Sequence, residues 1–386
     1  MSDVYILGIE SSCDETAAAV VRSGEKLISN VVASQIATHQ PYGGVVPELA
    51  SREHLRAIVP VVRQALVEAK HTYSSVDAIA VTRGPGLAGA LLVGISYAKA
   101  LAFALDKPLI AVNHLEGHIH AVLLEERQKG NHELQFPVLA LVVSGGHTHL
   151  YLAAEKENSW MYENIGHTRD DAAGEAFDKV AKLLGLGYPG GPVIDKLSVH
   201  GDPKAIKFPP AQIKHRDRRG RNDGRAVDFD DERPRFDFSY SGIKTAILRY
   251  VEAHDMRAAV ETRRQALAKI TKHKVEDYLA LCDRQTLDLV ASFQRAMIDD
   301  LVEKTLGAAR AYEVATLFVT GGVAANQELR QTFEREGAKQ GLPVYFPSRQ
   351  LSTDNAAMIA AAAYPKFLAK DFAPMDFTAD SGLVLR

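Results

Sequence analysis

Only two cysteines, Cys13 and Cys282, occur in 386 residues. That scarcity excludes a disulfide framework and a cysteine-based zinc knuckle, and it fits a reducing compartment. A dominant charge is also missing: 45 Lys and Arg stand against 48 Asp and Glu, a formal net charge of −3. Proteins that coat nucleic acid without selectivity are strongly basic, so any nucleic-acid contact must come from local patches. No low-complexity tract occurs, and 46 % hydrophobic with 24 % charged residues excludes wholesale disorder. The N-terminal run Met1-Ser-Asp-Val-Tyr-Ile-Leu-Gly lacks the basic segment, apolar core and cleavage site of a secretory signal. The longest apolar stretch, Leu87 to Leu105, is interrupted by Ser96, Tyr97 and Lys99 and is expected as a buried helix, not a membrane span. A cytoplasmic protein with no membrane partner is the expectation.

What is present points to an α/β protein of two domains, each of roughly 150–200 residues. Val4 to Ile9, Ala17 to Val21 and Lys26 to Ser34 read as three strands joined by tight polar turns, an antiparallel meander. A helix over 51–69, a strand over 76–82, the small-residue helix, a strand over 109–113 and a helix to Gln128 follow. Then the pattern restarts: strand 138–144, the turn Gly145-Gly-His-Thr148, strand 149–154, and alternating helices and strands to the end. Two halves that each open with a hairpin suggest a duplicated fold with a nucleotide between them.

His114 and His118 open a helix after a strand. At about 100° per residue, positions i and i+4 lie about 40° apart, so both imidazoles can reach one ion. His120, about 240° beyond His114, lies on another face. In the familiar zinc-protease segment a Glu directly follows the first His; here Glu116 lies two residues on, at about 200°, pointing away from such an ion. That spacing counts against a metalloprotease. A third ligand should be an oxygen donor. Asp354, in Ser352-Thr-Asp-Asn355, is the candidate, although the same residue also suits a helix N-cap.

Three glycine turns stand at strand or helix ends: Ser144-Gly-Gly-His-Thr148, Gly190-Gly-Pro192 and Thr320-Gly-Gly322. Such turns let phosphate or ribose approach backbone N–H groups and helix N-termini. None matches a Walker A or dinucleotide fingerprint. Cys13 lies in the first hairpin turn without a local histidine and reads as a small buried thiol. Asp178, just ahead of the Gly190-Gly191 turn, is either a solvated helix carboxylate or a ribose partner.

In order along the chain, Gly8-Ile-Glu-Ser-Ser-Cys-Asp-Glu-Thr16, Tyr42-Gly-Gly-Val-Val-Pro-Glu-Leu-Ala-Ser-Arg52, Gly84-Pro-Gly-Leu87, Asn113-His-Leu-Glu-Gly-His118, Val143-Ser-Gly-Gly-His-Thr148, Asp171-Ala-Ala-Gly-Glu-Ala-Phe-Asp-Lys179, Tyr188-Pro-Gly-Gly-Pro192, Phe238-Ser-Tyr-Ser-Gly-Ile-Lys244, Gly321-Gly-Val-Ala-Ala-Asn326 and Ser352-Thr-Asp-Asn355 resemble the TsaD family. These are the bacterial tRNA N6-adenosine threonylcarbamoyltransferases, once named glycoproteases. The resemblance implies a duplicated actin/Hsp70-like ATPase (ASKHA) fold with two domains around a nucleotide cleft. The expected halves are 1–111 plus 355–386, and 112–354 with insertions near 212–233 and 255–280. It implies transfer of threonylcarbamoyl from threonylcarbamoyl-AMP to N6 of adenosine 37 in tRNAs reading ANN codons, with release of AMP. By the same resemblance His114, His118 and Asp354 would bind one divalent metal, iron or zinc. Val142, Val143, Ser144, Gly145 and Gly146, with Asp178, Gly191, Asp195 and Asn326, would hold the donor, in a pocket that also suits ATP or ADP. Glu15 would sit at the reacting end. Partners implied are tRNA, a TsaB-like paralogue, a TsaE-like ATPase and a separate threonylcarbamoyl-AMP synthase.

Two stretches depart from the family pattern. The basic loop 212–225 and the charged stretch 255–280 read either as extra tRNA contact or as solvated insertions. Competing readings are a small-molecule kinase of the same fold, which has no use for the histidine pair, and a non-catalytic ATP-binding scaffold of a tRNA-modifying complex.

Overall fold

The computed structural model describes residues 3–156, 159–208, 234–270 and 273–386. The basic loop at 212–225 and the insertion 212–233 that contains it lie outside the described residues.

β1 (Tyr5–Glu10), β2 (Glu15–Arg22) and β3 (Lys26–Ser34) form the expected antiparallel meander. Ile6 packs into one core layer, and Leu7 and Ile9 into another. Because both faces are covered, β1 reads as a continuous apolar run instead of an alternating one. The short α1 (Ile36–His39) leads to α2 (Pro47–Ala69); β4 (Ala78–Gly84), α3 (Ala88–Leu105) and β5 (Leu109–Asn113) complete the first layer. β4 and β5 pair in parallel, and the sheet order is β3-β2-β1-β4-β5.

α4 (His114–Gln128) then leads to a second sheet of β6 (Val138–Val143), β7 (Thr148–Lys156), β8 (Ser159–His167), β9 (Thr316–Thr320) and β10 (Val344–Tyr345). Its order, β8-β7-β6-β9-β10, repeats the first sheet strand for strand, with two antiparallel pairs and then two parallel ones. The duplication therefore lies in topology. β8 has no counterpart in the sequence reading, because Ser159-Trp-Met-Tyr-Glu-Asn-Ile-Gly-His167 is a half-covered strand without an apolar run.

α5 (Ala173–Leu183), α6 (Gly190–Ser198), α7 (Ser241–Ala253), α8 (Arg257–Leu267), α9 (Val275–Leu279) and α10 (Arg284–Ala311) fill the connection between β8 and β9. α11 (Gln327–Lys339) and α12 (Arg349–Ser352) precede α13 (Ala356–Leu368), which returns to the first sheet. A Cβ on Gly8 would lie 2.3 Å from the Ala356 carbonyl oxygen, so only glycine lets the start of α13 settle over β1. β5 spans position 111/112, and α4 packs on α13 on one side and on β6 and β9 on the other.

Two expectations need correction. α3 is not a buried helix: Ala90, Leu91, Ile95, Ala98 and Ala102 face the core, while Leu92 is 49 % and Phe103 81 % exposed. It is the one helix among the described residues long and apolar enough to cross a membrane, yet its inner face covers β4 and α2. The stretch 255–280 is not solvated throughout either, in the part described. Met256, Val260, Leu267 and Tyr278 join the main core, and buried Arg263 donates to the carbonyls of Leu184 and Leu281 and to Thr286 Oγ1. Exposed Arg257 and Arg264 are paired with Glu252 and Glu261. Little unpaired positive charge is left on α8 for a phosphate backbone.

Candidate functional site

Asn113 caps α4 by accepting from the Leu115 amide at 2.9 Å, which fixes His114 at the first helical position and His118 one turn on. Asp354 arrives from the turn between α12 and α13. Its Oδ1 lies 3.6 Å from His114 Nε2 and 3.3 Å from His118 Nε2. One donor atom from each of the three residues falls within 4.8 Å of the others. Metal–ligand bonds of about 2.0–2.1 Å meeting at a tetrahedral angle hold their donor atoms about 3.4 Å apart, so the two His–Asp spacings of 3.6 and 3.3 Å match one first-row ion, while the 4.8 Å bound on the set leaves the two histidines to draw together around it. Neither ring nitrogen of buried His118 has a hydrogen-bond partner among the described residues, a costly state that an ion at Nε2 relieves. The geometry and the donor set fit a metal.

The N-cap alternative for Asp354 is overturned. Asn355 takes that role, its Oδ1 accepting from Met358 N at 3.1 Å while its amide donates to the carbonyls of Leu351 and Thr353. Asp354 is thereby free to turn toward the histidines.

The electrostatics describe a centre awaiting positive charge. Burial alone would depress His114, but Asp354 and then Glu10 outweigh it and raise the imidazole to about 9. Burial likewise opposes ionisation of Asp354, yet His114 and His118 hold it below the usual carboxylate range. His118 is lowered by burial. A proton on His114 thus stands where the charge of an ion would be. Glu15, the first residue of β2, is raised well above the carboxylate range by burial, then by Asp14 and Asp354, and accepts from Ser34 Oγ at 3.3 Å. Cys13, half-buried instead of fully buried as expected, has its thiol pushed up by burial and then by Asp14, which disfavours the thiolate.

The three glycine turns keep their positions at strand and helix ends. Ser144 closes the first turn by donating its amide to the His147 carbonyl and accepting from His147 N at 3.2 Å. Val142 and Val143 are wholly buried core residues, while Gly145 and Gly146 in the turn that follows are exposed. In the other two turns the first glycine is demanded by packing: a Cβ on Gly190 would lie 2.5 Å from Ala181, and one on Gly321 2.4 Å from the Val143 carbonyl. The second glycine of each pair, Gly191 or Gly322, would meet nothing within 4 Å. Those positions face open space, with room for a ligand against backbone.

Asp178 is not simply solvated. Its Oδ1 accepts from Gly190 N at 2.6 Å, and burial raises its carboxyl to about 6. Asp195 accepts from Gln327 N at 3.2 Å. Asn326 caps α11 through Leu329 N and donates to Gln294 at 2.8 Å. Both residues have side-chain atoms already committed to protein partners. The sequence reading missed Glu10, Ser12 and Thr82 behind His114, and His147, whose ring centroid lies 5.9 Å from that of His114. The available signal was Glu10 itself, a charged residue inside an apolar strand that has to find a partner.

Fold and site together define a class: a duplicated two-sheet protein with the actin/Hsp70-like (ASKHA) fold, carrying a two-histidine, one-carboxylate cluster suited to a metal. Full-length HypF in a phosphate- and nucleotide-bound form aligns with a TM-score of 0.54 over 96 % of this chain and 47 % of that one, at 12 % identity, which speaks to the fold alone. Residues 26–361 match the sequence family described as TsaD: tRNA N6-adenosine threonylcarbamoyltransferase. The chain is 70 % identical over 386 residues to a tRNA N6-adenosine threonylcarbamoyltransferase of Koribacter versatilis, covering all of both chains. It is 50 % identical over 380 residues to the enzyme of the same name from Syntrophobacter fumaroxidans, covering 98 % of this chain and 99 % of that one. The chain belongs to the TsaD family of tRNA N6-adenosine threonylcarbamoyltransferases.

Proposed function

We propose that this enzyme transfers the threonylcarbamoyl group from threonylcarbamoyl-AMP to N6 of adenosine 37 in tRNAs that read ANN codons, releasing AMP. The observation that carries this reading is the convergence of Asp354 on His114 and His118 beside glycine turns that face open space. His114, His118 and Asp354 would hold one divalent ion, iron or zinc. Such an ion, when bound, supplies Lewis-acid charge for a carbonyl or phosphoryl oxygen.

The chain's own groups account for the rest. The N6 lone pair is delocalised into the adenine ring, so the amine is a weak nucleophile and needs both an activated acyl donor and close placement. N6 attacks the carbamoyl carbon, the bond from that carbon to the phosphate oxygen breaks, and AMP leaves with the electron pair. Backbone N–H groups at Gly145, Gly146 and Gly191, with the N-terminus of α6, would neutralise the phosphate. Asp178 offers its remaining lone pairs to ribose hydroxyls, and Asp195 and Asn326 hold the wall in register. Glu15 would sit at the reacting end and assist removal of the N6 proton; with its carboxyl raised by burial and by Asp14, it serves as a base only once it has given up its own proton. Unchanged turnover in a Glu15→Gln enzyme would remove that role. ATP or ADP would fill the same pocket.

tRNA, a TsaB-like paralogue, a TsaE-like ATPase and a separate threonylcarbamoyl-AMP synthase are the partners of this reading, and the cytoplasm its compartment. A protein partner is supported by exposed Leu55 and Val59 on α2 and Leu92 and Phe103 on α3, on the outer surface of two adjacent helices. The test is to combine the protein with these partners, synthetic donor and unmodified tRNA, digest the tRNA, and read its nucleosides by mass spectrometry. Threonylcarbamoylated adenosine is the expected product. Donor binding without product would favour the scaffold reading, and phosphoryl transfer to a small molecule the kinase reading.

A further inference from the structure

The metal ligands are not equally supported, and the difference lies behind them. Glu10 ends β1 with no exposed surface. Its Oε1 accepts from Ser12 N at 2.5 Å, and its Oε2 accepts from Thr82 Oγ1 at 2.7 Å and faces His114 Nδ1 at 3.0 Å. No such group backs His118, whose Nδ1 has no partner among the described residues.

We propose that Glu10 is the positioning residue of the metal centre, holding the hydrogen on His114 Nδ1 so that Nε2 is presented to the ion. An ionised carboxylate only accepts, so the imidazole nitrogen facing it has to carry the hydrogen. The other neighbour of Nδ1, Ser12 Oγ at 3.1 Å, can donate or accept and so cannot choose the tautomer. Glu10 is itself oriented by two donors from different elements, the first hairpin turn and β4, which fixes the roll of the ring as well as its tautomer. Charge points the same way. Asp354 and Glu10 together bring two negative charges to a buried site, which one divalent ion neutralises. The first sheet thus reaches through the Gly8-Ile-Glu10 segment to a ligand on α4, 104 residues away.

This inference rests on the metal reading above, and the experiment separates the two. Wild type, Glu10→Gln and Thr82→Val would be stripped of metal and titrated with Zn2+ against a chromogenic chelator. Absorption of the Co2+-substituted proteins would report ligand geometry, and thermal melts of the stripped proteins would report folding. The Gln amide can offer either oxygen or N–H to the ring, so it no longer selects the tautomer. Zinc affinity should fall about 10–100-fold in Glu10→Gln, with altered cobalt bands, and by a smaller factor in the same direction in Thr82→Val. If Glu10→Gln does not fold, Thr82→Val carries the test. Zinc affinity within twofold of wild type and an unchanged cobalt spectrum in the folded variants would overturn the role of Glu10. Wild type that binds no zinc or cobalt would bring down the metal reading itself, and this inference with it.

Discussion

Thr320, at the end of β9 in the second sheet, donates its hydroxyl to the carbonyl of His118 on α4 at 2.9 Å. Both residues are fully buried, so a side chain of the second sheet holds the backbone turn that carries one histidine of the cluster. Replacing Thr320 with Val keeps the shape and removes the bond. The expected loss is about 1 kcal/mol of stability, a fall of a few degrees in melting temperature, with weaker metal retention. A calorimetric scan and metal analysis of the purified variant check both; an unchanged metal content would mean that α4 is placed without this bond.

The two glycines that open α6 should behave in opposite ways. Gly190→Ala drives a methyl against Ala181, Phe177 and Asp178 and should cost roughly 1–3 kcal/mol. Gly191→Ala enters open space and should leave the melting temperature nearly unchanged while weakening binding of a non-hydrolysable donor analogue. Equal donor affinity in Gly191→Ala would take that turn out of the pocket.

Asp178 gives a pH signature. Its carboxyl is raised from 3.8 to about 6 by burial, partly offset by the amides of Gly190 and Gly191. A folded state that binds the proton more tightly than the unfolded one is favoured below the unfolded value and loses that advantage as pH rises through the folded value. Wild type should therefore lose stability between pH 4 and 6 relative to Asp178→Asn, which keeps an acceptor for Gly190. Above pH 6 the variant should be more stable by at most about 3 kcal/mol, and at pH 4 the two should match. Denaturant midpoints across that range decide it, and a parallel loss of donor binding would explain why the costly carboxylate is kept.

Much of this was legible beforehand, for reasons that can be named. His114 and His118 declare themselves because helical periodicity puts four-apart residues on one face. The meander 4–34 declares itself through apolar strands and polar turns. Glu10 did not, since its partners Thr82 and His114 lie 72 and 104 residues away and leave no local pattern. Asp354 and Asn355 are both good capping residues, and only the backbone decides that Asn355 takes the cap. The burial of Arg263 within the charged stretch 255–280 was not legible, because sequence does not reveal that three oxygens wait for it in the core.

The central claim, that the His114–His118–Asp354 centre serves the transfer, is tested most directly by reading metal content and product on the same samples. Wild type and His118→Ala would be assayed for bound metal, then given partners, threonylcarbamoyl-AMP and ANN-decoding tRNA. The account predicts about one ion per chain and modified adenosine for wild type, with both lost together in a variant that still folds. A folded, metal-free His118→Ala that modifies adenosine at the wild-type rate would contradict it.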